Sequence, residues 1–394
     1  MKKLRMGMVG GGSGAFIGEI HRIAAAISRD IQLVCGAFSS DRERTLQTGR
    51  LLDLEADRCY GSYDEMFARE SSLPKDIRME LVAVVTPNHL HFPVARAALE
   101  HGFHVISDKP ATLNLQEAIQ LKEIIEKTNC LYALTHVYTG YPLVKQARHL
   151  VERGELGNIV KVVAEYSQGW LATKASESSK QAAWRLDPAR SGRSCCIGDI
   201  GVHAANLIEY ISGLKITALC ADISTVVEGR TLDDDGTVLL RFDNGAKGVL
   251  LASQVSVGDE NNLRLRIYGD KKSIEWSQLD PNTLWLRSNS EPTQQIRTGV
   301  GEMSPAATRA AYAPAGHTEG YLEAFANIYK NFSAQIRAQR DGRDCDNNSF
   351  DVPGIEAAIR GMAFIEKTMD AGQSSLNWMP FSLTAEMSEG VVGE

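Results

Sequence analysis

The stretch that most constrains the fold is Leu81–Pro110, LVAVVTPNHLHFPVARAALEHGFHVISDKP. Two short β-branched runs, Leu81–Val85 and His104–Ile106, flank a helical pattern from Leu90 to Glu100. Gly102 stands where a helix C-terminus takes a left-handed residue. Strand, helix, strand within roughly 30 residues is a βαβ unit, which commits the chain to a parallel sheet. Each strand runs out into polar residues, Thr86-Pro87-Asn88-His89 after the first and Ser107-Asp108-Lys109-Pro110 after the second. Ligands of open α/β sheets bind beyond the carboxyl ends of the strands, so Lys109 is expected at a site rather than on a solvated face.

Lys3–Val9 reads as a further strand, followed at once by Gly10-Gly11-Gly12-Ser13-Gly14-Ala15-Phe16-Ile17-Gly18 and a helical pattern from Ile17 to about Ser28. In this order, backbone N–H groups and a helix N-terminus hold a pyrophosphate, and glycines let it approach the backbone. Gly10, Gly12, Ser13, Gly14, Ala15, Phe16 and Ile17 are the expected dinucleotide contacts. Ile31–Phe38 is the second strand. A preference for NAD usually comes from an acid at its end, but Phe38, Ser39, Ser40, Asp41, Arg42, Glu43 and Arg44 stand here. Two hydroxyls and two guanidinium groups suit a 2′-phosphate, while Asp41 also suits the N-cap of a helix running to about Leu54. The expected cofactor is NADP or NAD, with the balance toward NADP.

A short helix at Gly61–Arg69, a capping box at Asn114–Glu117 opening a helix to Lys127, a strand at Leu131–Thr135 and a helix at Tyr141–Arg153 continue the β/α alternation. The first domain is therefore expected to span 1–135. Beyond it the pattern changes. Ile159–Ser167, Ile216–Val227, Thr237–Phe242, Ala246–Val257, Leu263–Gly269, Lys272–Trp276 and Thr283–Arg287 read as strands, with hairpin turns at Asp243-Asn244-Gly245 and Gly269-Asp270. Strands in such succession imply a largely antiparallel sheet, covered by helices at Val202–Ser212, Glu319–Ala338 and Gly354–Met369. This second, α+β domain is expected over 136–380. Segment 289–316 reads as a long loop, and the polar chain after Asn377 as loose, with 381–394 a tail.

At 394 residues the chain is long enough for two domains, and its 43% hydrophobic and 23% charged content is that of a globular protein. A net charge of −7 argues against nucleic acid as a partner. No apolar run approaches the roughly 18 residues that span a bilayer, so no membrane partner is expected. Gly7 and Gly10–Gly12 interrupt any signal-like apolar core at the start, and seven cysteines without a CxxC pair fit reduced thiols, so a cytoplasmic location is expected. Cys195-Cys196 reads as small buried residues rather than metal or redox chemistry.

The chemistry-bearing stretch is Cys196–Gly213, CIGDIGVHAANLIEYISG. A helix from Gly198 to Gly213 sets Asp199 and His203 four apart on one face, a carboxylate beside an imidazole. An isolated pair of this kind is more often structural, and no third ligand at suitable spacing points to a metal. Trp184-Arg185 leads into this helix as a core aromatic or as a pocket wall.

The glycine-rich turn, Thr86-Pro87-Asn88-His89-Leu90-His91, Asp108-Lys109-Pro110, Trp184-Arg185 and Gly198-Asp199-Ile200-Gly201-Val202-His203 occur in that order. Together they resemble the Gfo/Idh/MocA family of nicotinamide-dependent sugar and polyol dehydrogenases, over about Lys3 to Gly372. The resemblance implies a Rossmann domain followed by an α+β domain whose open sheet carries dimers or tetramers. The family's Glu-Lys-Pro motif falls on Asp108-Lys109-Pro110, with Asp in place of Glu. Its catalytic Asp and His fall on Asp199 and His203. In the implied oxidation of a secondary alcohol, His203 takes the hydroxyl proton, poised by Asp199, and Lys109 donates to the same oxygen. Thr86, Pro87, Asn88, His91, Asp108, Trp184 and Arg185 are expected along the cofactor. His136, Tyr138, Trp170, Arg185 and His317 are expected around a sugar or inositol-like substrate.

Three departures from the family pattern stand out. About three extra residues in the turn put Gly18, not Ala15, in the third-glycine place. The second strand ends without its acid. The segment His136-Val137-Tyr138-Thr139-Gly140-Tyr141-Pro142 lacks the arginine common there. His317-Thr318-Glu319-Gly320-Tyr321 resembles the segment closing over substrate in relatives, or is simply a helix start capped by Thr318. A glycosidase using bound NAD for transient oxidation, or a non-catalytic sensor, are the rival readings on the same fold.

Overall fold

The computed structural model describes residues 2–174, 180–345 and 350–383. In chain order the first half runs β1 (Leu4–Gly10), α1 (Phe16–Ser28), β2 (Ile31–Ala37), α2 (Arg42–Leu51), α3 (Tyr63–Ser72), β3 (Leu81–Val85), α4 (His91–Glu100), β4 (His104–Ser107), α5 (Leu115–Thr128), β5 (Tyr132–Leu134) and α6 (Pro142–Glu152). Its five strands form a wholly parallel sheet in the order β2-β1-β3-β4-β5. All of β3 is buried, which is why its run is apolar rather than alternating. The helix starts carry their own acceptors. Asp41 takes the N–H groups of Glu43 and Arg44, and Ser62 that of Glu65. The Asn114 cap takes the N–H of Glu117, but the Glu117 carboxylate reaches back to Leu113 rather than Asn114.

The second half runs β6 (Ile159–Ser167), α7 (Lys180–Arg185), α8 (Pro188–Ser191), α9 (Val202–Ser212), β7 (Ile216–Ser224), β8 (Asp235–Phe242), β9 (Lys247–Ser253), β10 (Asn262–Gly269), β11 (Lys272–Ser277), β12 (Asp280–Ser288), β13 (Gln294–Arg297), α10 (Pro305–Ala310), α11 (Tyr321–Arg340), α12 (Ile355–Gln373) and β14 (Met379–Pro380). Nine strands make one sheet, β13-β12-β11-β10-β6-β9-β8-β7-β14, antiparallel except where β6 lies parallel to β9. Its inner face packs on α6 and α9 around Leu240, Leu250, Ile267 and Trp276. The late helices return to the first sheet. α11 packs along α1, where His21 Nδ1 meets the Tyr329 hydroxyl at 2.7 Å, and α12 packs on α5.

Several sequence expectations need correction. Segment 289–316 is not one loop, because Gln294–Arg297 pairs with β12 as an edge strand and Ser304 caps α10. The chain after Asn377 is held for a few residues, Met379–Pro380 pairing with β7 and Phe381 N–H donating to Thr217 O. From residue 384 the expected tail lies outside the described residues. The strand expected to reach Val227 stops at Ser224, since the Asp234 carboxylate takes the N–H groups of Val226 and Val227. Thr318 is not a cap, because α11 begins at Tyr321 behind Gly320.

Candidate active site

A cavity of about 1050 Å³ runs along the carboxyl ends of the first sheet, from the glycine-rich turn to Asp199. The turn is tight by necessity. Gly11 has φ +68°, and a Cβ on Gly18 would stand 2.3 Å from Gly11 Cα, so α1 can approach β1 only with glycine at both places. Gly18 thus occupies the close-packing position and Ala15 lines the cavity. The Ser13 N–H donates to Thr48 Oγ1, and Arg22 donates to Gly11 O, which fix the turn from both sides.

Around this cavity stand Gly10, Gly12, Ser13, Ala15 and Ile17 from the turn, and Phe38, Ser39, Ser40 and Arg44 from the end of β2. Thr86, Pro87, Asn88, His91, Asp108, Lys109, Trp184, Arg185 and Asp199 complete it. Gly14, Phe16 and Arg42, expected there, are not among the lining residues, and the Phe16 side chain is 62% exposed to solvent. Asp41 is spent on capping α2, so the end of the cavity near β2 carries hydroxyls and a guanidinium but no acid. The glycine cradle, the helix N-terminus and this donor set fit an extended dinucleotide. His91 lines the cavity and also stitches it: its two ring nitrogens face Pro110 O at 2.6 Å and Thr86 O at 2.8 Å, tying the ends of β3 and β4 together. A neutral ring donates to only one of them. Burial lowers the His91 pKa, while Asp108 and the two carbonyls oppose that.

At the inner end Lys109 Nζ donates to Asp199 Oδ1 at 2.6 Å and to Asp199 O at 2.7 Å. The other carboxylate oxygen, Oδ2, accepts from Arg185 Nε at 3.2 Å and from Gln254 Nε2 at 2.9 Å. Burial alone would raise the Asp199 carboxyl, but Arg185 and Lys109, helped by His203, hold it below the usual carboxylate range. Residues 197–201 form a π-turn ahead of α9, a distortion that often marks functional sites. Asp233 braces it by accepting from Cys195 N–H, Ile197 N–H and Ser194 Oγ. Asp108 accepts from Thr135 Oγ1 at 2.9 Å and from the Lys109 N–H at 2.8 Å, which steadies the lysine's backbone. The Arg185 guanidinium lies 4.3 Å over the Trp184 ring and 5.8 Å from that of Trp170, a cation–π clamp on the group that holds Asp199.

Asp199, expected on one helical face with His203 and poising it, makes no hydrogen bond to it; the Asp199 oxygens are taken by Lys109, Arg185 and Gln254. His203 Nδ1 instead meets His136 Nδ1 at 3.2 Å. His203 is nearly buried beside Tyr138, whose hydroxyl bonds that of Tyr166 and accepts from Asn261 Nδ2. Burial, Lys109 and His136 hold the His203 imidazole well below its ordinary 6.5, and Asp199 opposes them. His136 is pushed down to about 3 by burial and then by Lys109. His136, Tyr138 and His203 lie outside the lining of the large cavity, as does Trp170. His317 is exposed, its Nδ1 against Pro314 O, and does not face the site. Sequence reading missed Gln254 and Asp233. Gln254 follows a strand, and Asp233 sits in Leu232-Asp233-Asp234-Asp235, a run that reads as a solvated turn although Asp233 and Asp234 are buried. Among the described residues no three of His, Cys, Asp and Glu are grouped to hold a metal ion.

A parallel sheet with a glycine-rich turn, a large open sheet and the Lys109–Asp199 ion pair mark an α/β protein built to hold a dinucleotide. Residues 4–136 match the oxidoreductase family with an NAD-binding Rossmann fold, and residues 144–275 match the GFO/IDH/MocA C-terminal domain. The uncharacterised oxidoreductase YfiI of Bacillus subtilis is 35% identical over 96% of this chain and 97% of its own. Among solved structures, an oxidoreductase from Sinorhizobium meliloti is 42% identical, covering 96% of this chain and 100% of that one, with a TM-score of 0.86. An inositol dehydrogenase homolog from Azotobacter vinelandii, complexed with NAD+, is 32% identical over 96% of this chain and 98% of that one, at a TM-score of 0.92. The same homolog has also been solved with NADH and myo-inositol. The chain belongs to the Gfo/Idh/MocA family and is an NAD-binding oxidoreductase.

Proposed function

We propose that the protein moves hydride between a nicotinamide cofactor and a secondary alcohol or ketone of a sugar or cyclic polyol, with inositol-like rings the first candidates. The observation that carries this reading is the Lys109–Asp199 pair at the inner end of the glycine-cradled cavity, with a neutral, nearly buried His203 beside it. The myo-inositol complex of the Azotobacter vinelandii homolog supports the substrate class.

When bound, the nicotinamide supplies the hydride acceptor or donor. The chain's own groups do the rest. Lys109 donates to the reacting oxygen and offsets the negative charge that develops there. Asp199, fixed by Arg185 and Gln254, keeps the lysine aimed. His203 accepts the hydroxyl proton in oxidation and returns it in reduction, with a pKa low enough to be an unprotonated base at neutral pH. His136 and Tyr138 shape the substrate side, and Trp170, through Arg185, its outer rim. Asn88 Nδ2 donates to Ser191 O and holds the segment after Trp184 against the first domain.

For the cofactor, Ser39, Ser40 and Arg44 without a competing acid favour NADP over NAD. For assembly, the outer face of the large sheet supports a homodimer or homotetramer. Leu239 pairs with Val249 there, and Leu251 with Glu165, and both leucines are exposed. Cys35, Cys59, Cys130, Cys195, Cys196 and Cys220 form no disulfide, which fits a cytoplasmic setting. No helix among the described residues is long and apolar enough to cross a membrane. The test is His203→Ala, which should cost about 10²–10⁴ in turnover with nucleotide binding kept. Turnover near that of the wild type would remove His203 from the mechanism.

A further inference from the structure

The base and its neighbour meet through like atoms. His136 Nδ1 stands 3.2 Å from His203 Nδ1, with the rings edge-on at 83°. A hydrogen bond between two Nδ1 atoms needs one N–H and one lone pair, so each ring dictates the other's tautomer. If His136 carries the Nδ1 proton, neutral His203 must hold its proton on Nε2 and cannot accept another there. If His203 carries the Nδ1 proton and donates it, its Nε2 is bare and can act as the base. His136 then holds its own proton on Nε2. Resting on the reading of His203 as the base, we propose that His136 is the positioning residue of the reaction: its Nδ1 lone pair fixes His203 in the Nδ1–H tautomer and turns Nε2 toward the substrate hydroxyl.

The proton balance closes on this arrangement. In oxidation the hydroxyl proton moves to His203 Nε2, and the resulting imidazolium keeps donating Nδ1–H to His136, now through a charge-assisted bond. In reduction the Nε2 proton returns to the substrate oxygen and the starting tautomer is restored. His136 never exchanges a proton, and one hydrogen bond serves both states. Asp199 cannot take this part, because its carboxylate is engaged by Lys109, Arg185 and Gln254.

His136 is built to stay put. It is 1% exposed, its N–H donates to Leu134 O, and its carbonyl accepts from the N–H and hydroxyl of Thr139. Its Nε2 lies buried without a hydrogen-bond partner against α12, 4.0 Å from where a Cβ at Gly361 would stand. The titratable and charged groups acting on the pair are Lys109 and Asp108 from the end of β4, Asp199 from the π-turn, and Tyr138 and Tyr166 around His203. Lys109 opposes a positive charge on either ring.

The experiment compares His136→Phe, which keeps a flat ring but no acceptor, with His136→Asn, whose amide oxygen can still accept. His136→Phe should lower kcat/KM by about tenfold or more through kcat, since orienting partners of this kind are worth about 10–100-fold. Nucleotide affinity should stay unchanged. His136→Asn should recover most of the loss. Imidazole ¹⁵N shifts of the wild-type protein should show His203 as the Nδ1–H tautomer whether or not the protein turns over. A resting Nε2–H tautomer, or a His136→Phe protein with wild-type kcat, overturns the proposal. His136→Asn no better than His136→Phe does so as well, leaving His136 a space filler. Loss of turnover in His203→Ala separates these failures from a failure of the base assignment itself.

Discussion

Gln254→Leu isolates what a single buried hydrogen bond does for the site. Gln254 is 0% exposed, donates to Asp199 Oδ2 at 2.9 Å and accepts weakly from Cys195 Sγ. Leucine fills nearly the same space, so packing should cost less than about 1.5 kcal/mol. What is lost is a hydrogen bond to a charged acceptor, worth about 1.5–3 kcal/mol. Oδ2 is then left to Arg185 alone, and the carboxylate that aims Lys109 is free to turn. If that energy is used to hold the reactive geometry, kcat/KM for the polyol should fall about 10–150-fold. Nucleotide affinity should not move, since Gln254 does not line the cavity. Gln254→Glu sharpens the test. Two carboxylates at this distance share one proton, so its activity should recover as pH falls and the new acid begins to donate as glutamine does. Steady-state kinetics from pH 5.5 to 8.5 and nucleotide titration by calorimetry read both variants. A Gln254→Leu enzyme within twofold of wild type would show that Asp199 needs no such anchor.

Other consequences follow from the same geometry. Gly18→Ala forces a Cβ against the Gly11 backbone, overpacking by about 1–3 kcal/mol. Nucleotide affinity should drop about 5–100-fold with the circular dichroism spectrum kept, and an unchanged Kd would contradict the cradle. Arg44→Ala should weaken NADP by about tenfold or more and NAD little, a charge-assisted contact being worth about 1.5–3 kcal/mol; equal losses would argue against a 2′-phosphate contact. Burial lowers His21 and His104 to about 4 and His136 to about 3, from 6.5. Their stabilising contribution is full above 6.5 and is lost as pH falls toward those values, because the unfolded chain binds the protons first. Stability should decline by about 1.4 kcal/mol per pH unit for each such ring, and a Tm flat between pH 6.5 and 4.5 would refute it. Leu239→Arg on the outer sheet face should shift the protein to monomer in sedimentation without loss of fold, whereas an unchanged assembly would place the interface elsewhere.

The parts of the site that could be read in the sequence are those whose chemistry and local pattern coincide. The βαβ stretch put Lys109 at a strand end, the glycine spacing put Gly18 against Gly11, and Asp199 sits within one turn of His203. What could not be read depends on contacts between distant segments. Gln254 reaches Asp199 across 55 positions, and His136 reaches His203 across 67. Helical spacing put Asp199 and His203 on one face, but the π-turn and the donors Lys109, Arg185 and Gln254 turn the carboxylate elsewhere. His317 and Thr318 carried a motif-like order, but His317 turns to Pro314 O and is exposed, and neither residue lines the site. β13 and β14 were hidden because edge strands of four and two residues are held by backbone pairing and are too short to show a side-chain alternation.

The most direct measurement is nucleotide reduction by the purified protein over a panel of inositols, aldoses and anhydrosugars, each with NAD and with NADP, with Lys109→Met run alongside. The account predicts reduction with at least one cyclic polyol or sugar, faster with NADP, and a loss of about 10²–10³ in kcat for Lys109→Met with nucleotide binding intact. Wild-type turnover in Lys109→Met, or no reduction across the panel by a protein that still binds nucleotide, would contradict it.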